Sequence, residues 1–81
     1  MAALSAFLIV KDEAARLPRT LAALEGLADQ VVVVDSGSSD GTVEIARAAG
    51  AEVRFRAWTG YGPQKRFAAE LCRHDWRLNV D

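Results

Sequence analysis

Asp35 ends a run of valines, Val31, Val32, Val33 and Val34, and "SGSSDGT" follows it through Thr42. A carboxylate at the end of an apolar run has several chemistries open to it. It can accept from backbone N–H groups of its own turn, a structural role. It can also serve a catalytic site, or accept from a ligand's N–H or hydroxyl. The loop suits each of these: Ser36, Ser38 and Ser39 can bond locally, Gly37 and Gly41 permit positive φ, and Asp40 or Thr42 is a reasonable helix N-cap. Other reactive residues follow other apolar runs. Lys11, Asp12 and Glu13 come after "LSAFLIV", Arg56, Trp58, Gly60, Tyr61 and Gly62 after "AEVRF", and Asp81 after "WRLNV".

Named phosphate motifs do not account for these residues. A dinucleotide fingerprint needs G-x-G-x-x-G after the first strand, and "KDEAAR" has no glycine. A Walker loop counted from Gly37 requires glycine where Thr42 stands. The phosphatase-type D-x-D-G-T pattern is nearly met by "SSDGT", but Ser38 occupies the nucleophile's position.

The elements that must position these residues are legible. "LSAFLIV" (Leu4–Val10) and "VVVVD" read as strands buried on both faces, because β-branched residues favour extended chain and the runs are unbroken. Between them Pro18 suits a helix's first turn, and Leu17, Leu21, Leu24 and Leu27 form its apolar stripe. "TVEIARAAG" is a second helix, with Val43, Ile45, Ala46 and Ala49 inward and Gly50 as its stop. "AEVRFR" alternates as an edge strand with Val53 and Phe55 on one face. Pro63 opens a third helix, with Phe67, Ala68, Leu71 and Cys72 inward, and "DWRLNVD" is a fourth strand alternating Trp76, Leu78 and Val80. Strands alternating with helices predict an α/β fold, a Rossmann-like open parallel sheet of about four strands with helices on both faces. The expected order is 3-2-1-4, with the switch point between the first and fourth strands, and ligands bind beyond the strands' carboxyl ends at such a point.

Composition bounds the rest. The 81 residues permit one domain at most. A hydrophobic content of 51% marks a globular chain, and a net charge of −1 gives no electrostatic argument for nucleic acid or an anionic membrane. Basic residues do gather at Arg54, Arg56, Lys65, Arg66, Arg73 and Arg77, a local patch that can face phosphate. Cys72, the one cysteine, cannot form an intrachain disulfide and reads as a core residue; His74 alone cannot build a metal site. "MAALSAFLIV" lacks the basic start of a signal peptide.

The segments "LIVKDEAARLPRTLAAL", "VVVVDSGSSDGTVEIARAAGAEV", "GYGPQKRFAAE" and "WRLNVD", in that order, closely resemble the N-terminal half of family 2 glycosyltransferases, and most of all the bacterial lipopolysaccharide-core branch. The resemblance runs from Leu4 to Asp81. It implies a type A, Rossmann-like glycosyltransferase fold, a nucleotide-sugar donor (UDP-linked), a saccharide or lipid-linked acceptor, and work in cell-envelope polysaccharide synthesis. It implies that Asp35 bonds the nucleotide base, that Val10, Lys11 and Glu13 line the nucleotide, and that Lys65, at the start of the third helix, faces the diphosphate. Asp81 matches the first acid of an Asp-x-Asp-like motif that holds ribose and a divalent metal, Mg²⁺ or Mn²⁺. Ser36 stands where the wider family often has Asp, and Arg66 where Asn is often found. On this reading residues 1–81 are the incomplete nucleotide-sugar-binding part of a larger domain, inactive alone. The catalytic base lies beyond residue 81, and the full-length protein is cytoplasmic, associating with the membrane's inner face.

Two readings from other classes stand beside this one. A non-catalytic, nucleotide-binding or self-associating module would use the fourth strand's open edge to form a homodimer. A receiver-like signalling domain would need Asp12, Glu13 and Asp35 as an acidic pocket.

Overall fold

The computed structural model describes residues 3–81. Its elements run β1 (Leu4–Val10), α1 (Leu17–Leu24), β2 (Gln30–Asp35), α2 (Thr42–Ala48), β3 (Glu52–Phe55), α3 (Tyr61–Glu70) and β4 (Trp76–Asn79). The four strands form one parallel sheet in the order β3-β2-β1-β4, as the crossover rule predicts. β1 pairs Leu8 with Val33 and Val10 with Asp35, so the ends of the two central strands lie level.

Successive strand residues face opposite sides, and the two sides pack differently. Ala6, Leu8, Val10 and Val33 meet Leu17, Leu21 and Leu24 of α1 and Ala46 of α2. Phe7, Val32 and Val34 meet Ala68 and Cys72, at and just beyond the end of α3. Helices therefore cover both faces, and the valine run is unbroken because each face needs its own apolar residues. Val32, Val33 and Val34 are fully buried; each stabilises the fold by about 1.5–3 kcal/mol relative to exposure. Burial also pushes the Cys72 thiol above its ordinary pKa of 9.0, which leaves it an inert core group.

Several expectations require correction. Leu27 lies beyond α1, because the chain turns extended at Glu25 and passes through positive φ at Gly26; the side chain is exposed. In α2 the buried residues are Thr42 and Ala46, while Val43 and Ile45 are half-buried and Ala49 is exposed. Phe55 shares a face with Val53 but ends its strand in solvent, 67% exposed. Pro63 does not open α3: the helix begins at Tyr61, and the proline occupies its third position, where no N–H is needed. Gln64, Ala68 and Cys72, four residues apart, make the buried stripe, with Phe67 and Leu71 half-buried beside it. β4 is exposed along its whole length, Trp76 and Leu78 included.

Candidate active site

All four strands point their carboxyl ends to one edge of the sheet, so the loops there share a neighbourhood. The loop after β2 is built around Asp35. Its Oδ2 accepts from the Gly37 and Ser38 N–H groups, both at 2.9 Å, and its Oδ1 accepts from the Ser38 hydroxyl. A carboxylate has about four acceptor sites, so three are engaged by the turn itself. The tight return requires φ of 120° at Gly37, a conformation that side chains rarely adopt.

A second set of hydrogen bonds stitches this loop to the one after β1. Asp12 takes φ of 53°, its N–H donates to Ser38 Oγ at 2.8 Å, and its Oδ1 accepts from the Ser39 N–H at 2.7 Å. The Glu13 N–H donates to Thr42 Oγ1 at 2.9 Å, and the Ala14 N–H to Asp40 Oδ2 at 3.2 Å. Asp40 Oδ1 accepts from the Thr42 hydroxyl and, at 3.0 Å, from the Thr42 N–H. Gly41, not Asp40 or Thr42, occupies the N-cap of α2 and offers no side chain; Asp40 and Thr42 tie the loops instead.

The Thr42 hydroxyl above all, with the Thr42 and Ala14 N–H groups, holds the Asp40 carboxyl below its ordinary 3.8. A depressed folded-state pKa contributes stability above the unfolded value and loses it as pH falls through the folded one. An NMR acid titration should therefore give Asp40 a midpoint below 3.8, with the Ala14 and Thr42 amides moving in step. A midpoint at or above 3.8 would refute the clamp.

Beside this floor lies a cleft of about 680 Å³, within the range of small-molecule sites. Val10, Lys11 and Glu13 line it from β1 and its loop, Lys65 from the second turn of α3, and Val80 and Asp81 from the end of β4. Lys65 Nζ lies 3.6 Å from Asp81 Oδ1, an ion pair open to water. Glu13 pairs with Arg16 at 3.1 Å. The structure thus brings together five of the six residues expected at the nucleotide, and only Asp35 stands apart. It is 4% exposed, turned into its own loop, and Ser36 lines the cleft in its place. Lys65 is two residues, about half a turn, further into its helix than expected, because α3 starts at Tyr61 rather than Pro63.

Ser36, Trp58 and Tyr61, expected at the strands' carboxyl ends, line the cleft too, as do Ile9 and Gln64, which sequence reasoning did not place at that edge. Gln64 carried a usable signal: it sits four residues before Ala68 and eight before Cys72, on the buried face. Its Nε2 donates to the Arg56 carbonyl at 2.9 Å, and its Oε1 accepts from Arg56 Nη1 at 3.1 Å.

A larger depression of about 950 Å³ lies at the other end of the sheet, beside Gln30, Glu52 and Arg73. Its polar groups are engaged with one another: Arg73 Nη1 lies 3.3 Å from Glu52 Oε1, and Gln30 bonds both neighbours. No chemistry is assigned to it. Asp12, Glu13 and Asp35 do not converge either, since each is committed to a different partner. Among the described residues no cluster of three or more His, Cys, Asp or Glu could hold a metal ion. The donors that face the cleft are the carboxylates of Asp81 and Glu13, hard oxygen ligands. One or two carboxylates suit a Mg²⁺ or Mn²⁺ shared with a ligand's phosphates, but not a metal held by protein alone.

An open parallel sheet wound on both faces, with a cleft of mixed apolar and charged lining at its switch point, defines an α/β ligand-binding domain of the Rossmann-like kind. The chain belongs to glycosyl transferase family 2, which it matches over residues 5–81. It is 50% identical over 78 residues to an uncharacterized glycosyltransferase of Rickettsia bellii, covering 96% of this chain and 26% of that protein. It is 43% identical over 83 residues to the lipopolysaccharide core biosynthesis glycosyltransferase LpsC of Rhizobium meliloti, covering 96% of this chain and 30% of that one. Glucosyl-3-phosphoglycerate synthase from Mycobacterium tuberculosis, solved with Mn²⁺, UDP and phosphoglyceric acid, superposes with a TM-score of 0.81 at 26% identity, covering 99% of this chain and 32% of that one. The fold is that of the type A glycosyltransferases. The chain spans between a quarter and a third of these proteins' length.

Proposed function

We propose that residues 1–81 are the donor-binding part of a glycosyltransferase. It would transfer a sugar from a UDP-linked donor to a saccharide or lipid-linked acceptor of the cell envelope, on the cytoplasmic side. The observation that carries this is the convergence of Lys11, Glu13, Lys65 and Asp81 on one cleft at the switch point. The relative named for lipopolysaccharide core synthesis supports the acceptor class, and the solved structure holding UDP and Mn²⁺ supports the donor and the metal.

Each residue then has a task. The Lys65 ammonium leaves Asp81 for the donor's diphosphate, a modest cost because exposed ion pairs are weak. Asp81, released from Lys65, accepts from ribose hydroxyls and is the first ligand for the divalent metal, with Glu13 across the cleft. A divalent metal bound there would neutralise charge developing on the diphosphate leaving group. Asp35 fixes the loop that presents Ser36, and its remaining acceptor site is the one left for the N–H of the base.

Calorimetric titration of the chain with UDP and Mg²⁺ tests this. Binding is expected, and Lys65→Ala should weaken it about tenfold, the worth of one charge-assisted hydrogen bond. Absence of UDP binding, or binding indifferent to Lys65→Ala, would refute the assignment. The chain alone is not expected to transfer sugar, so donor hydrolysis or transfer by it would also count against the reading.

A second reading rests on β4, whose length is exposed, with Trp76 at 66% and Leu78 at 40%. That edge can pair with a second copy of the chain. A concentration-dependent dimer lost on Arg77→Pro, together with no nucleotide binding, would favour self-association over donor binding.

A further inference from the structure

We infer that Asp12 is a positioning residue: its carboxylate latches the turn after β1 to the loop after β2, and that latch sets where Lys11 and Glu13 enter the cleft. The inference rests on the donor-binding reading above and adds a residue that acts without touching the donor. Lys11 and Glu13 both line the cleft, and Asp12, between them, does not. Its carboxylate is turned to the neighbouring loop instead.

The backbone at Asp12 is unusual. Its φ of 53° is the one positive value at a non-glycine residue among the described residues. Side chains crowd the backbone in that left-handed region, and after glycine Asn and Asp tolerate it best. Such a conformation persists only where its surroundings hold it. Here the holder is the β2 loop. Asp12 Oδ1 accepts from the Ser39 N–H at 2.7 Å, and the Asp12 N–H donates to Ser38 Oγ at 2.8 Å. The Glu13 and Ala14 N–H groups donate to Thr42 Oγ1 and Asp40 Oδ2. Three successive N–H groups thus bond side chains of one other loop. Of the three residues, only Asp12 also sends a side-chain acceptor back to it.

The placement of its neighbours follows. β1 ends at Val10, paired with Asp35, and Leu17 and Leu21 pack α1 against the sheet. The segment between Val10 and Leu17 is therefore fixed at both ends. Relaxing residue 12 to an ordinary helical φ of about −60° would turn the chain by about 110° at that bond. With the ends fixed, the change falls on Lys11, Glu13 and the residues up to Arg16. Glu13 is the carboxylate across the cleft from Asp81, and Lys11 is a cation beside it, so the donor would meet both displaced. Groups held in place before the ligand arrives bind it without a further ordering cost.

The test measures UDP affinity by calorimetry with Mg²⁺ present, and stability by urea unfolding, for three substitutions. Asp12→Asn keeps an oxygen acceptor and tolerates positive φ, so it should bind UDP within about twofold of the unsubstituted chain. Asp12→Ala loses both properties and should bind about fivefold more weakly, or worse. Asp12→Gly keeps the backbone freedom but not the acceptor, and should bind about threefold more weakly than Asp12→Asn. The glycine variant carries the test if the alanine one fails to fold. All three substitutions remove the same negative charge, so relief of repulsion toward a diphosphate would make all three bind more tightly. That outcome would refute positioning. Equal affinities of the asparagine variant and the others would refute it too. So would parental affinity with a lowered urea midpoint, the mark of a latch that only stabilises. In each of these cases donor binding stands. No UDP binding to the unsubstituted chain would overturn both readings together.

Discussion

Asp35→Ala should lower the unfolding free energy of this chain by about 2–4 kcal/mol, read as a shift in urea midpoint at constant slope. The carboxylate is buried and accepts from Gly37 N–H, Ser38 N–H and the Ser38 hydroxyl. Alanine strands these donors beneath a loop whose Gly37 already holds φ of 120°. Ser38 Oγ would also lose the contact that aims it at the Asp12 N–H, 2.8 Å away, so the damage spreads to the first loop. Asp35→Asn should cost less, about 1–2 kcal/mol, because its single carbonyl oxygen can keep the two N–H bonds but not the hydroxyl bond as well. An alanine variant as stable as the parent would show that the turn does not depend on the acid. Nucleotide binding lost in Asp35→Ala therefore says little about base recognition unless stability is measured beside it. Ser36 and Lys65 are cleaner probes of the cleft.

The second large effect lies at the far end of the sheet. Gln30→Ala is expected to destabilise by about 2–4 kcal/mol. Gln30 is 5% exposed and uses both ends of its amide. Its Oε1 accepts from Ser5 Oγ and from the Arg73 N–H, each at 2.7 Å; its Nε2 donates to the Leu71 carbonyl at 3.1 Å and reaches Glu52 Oε1 at 3.4 Å. One side chain thus joins β1, β2, β3 and the turn between α3 and β4. Gln30→Glu should be no rescue, since it would aim a second acceptor at the Leu71 carbonyl and at Glu52. Urea unfolding of the two variants decides the matter: a glutamate variant more stable than the alanine one would refute this account of the network.

The sequence made strands and helices legible where one physical cause dominated. Unbroken valines require cover on both faces, and the alternation of strand with helix leaves few parallel topologies, so sheet order and the β1 bounds follow. Where several causes compete, periodicity is silent. The start of α3 was hidden because Gly60 and Gly62 look like loop, yet the backbone closes its first helical bond from Gln64 N–H to the Gly60 carbonyl. Gln64 and Gln30 are polar residues whose burial depends on partners distant in sequence. Leu27 fits a helical stripe, but the chain leaves the helix before reaching it. Lys11, Glu13 and Asp81 were legible at the cleft because they follow apolar runs, whereas Lys65, in the second turn of α3, was placed there by the resemblance to the family. The direction of the Asp35 carboxylate was not, because local loop hydrogen bonds set it.

β1 is the first strand of the chain and also sits inside the sheet, between β2 and β4. Its partnership with β4 joins Leu4 to Trp76, residues far apart in sequence. Loop closure over such a separation yields its reward only after the intervening elements have compacted, so this pairing belongs to the late, slow part of folding. Asp81 follows β4, so it reaches the cleft only once that pairing has formed. A partly folded chain can already hold the stitched floor and the Trp58 loop while lacking the acid opposite them. The cleft would then be completed only when β4 joins β1.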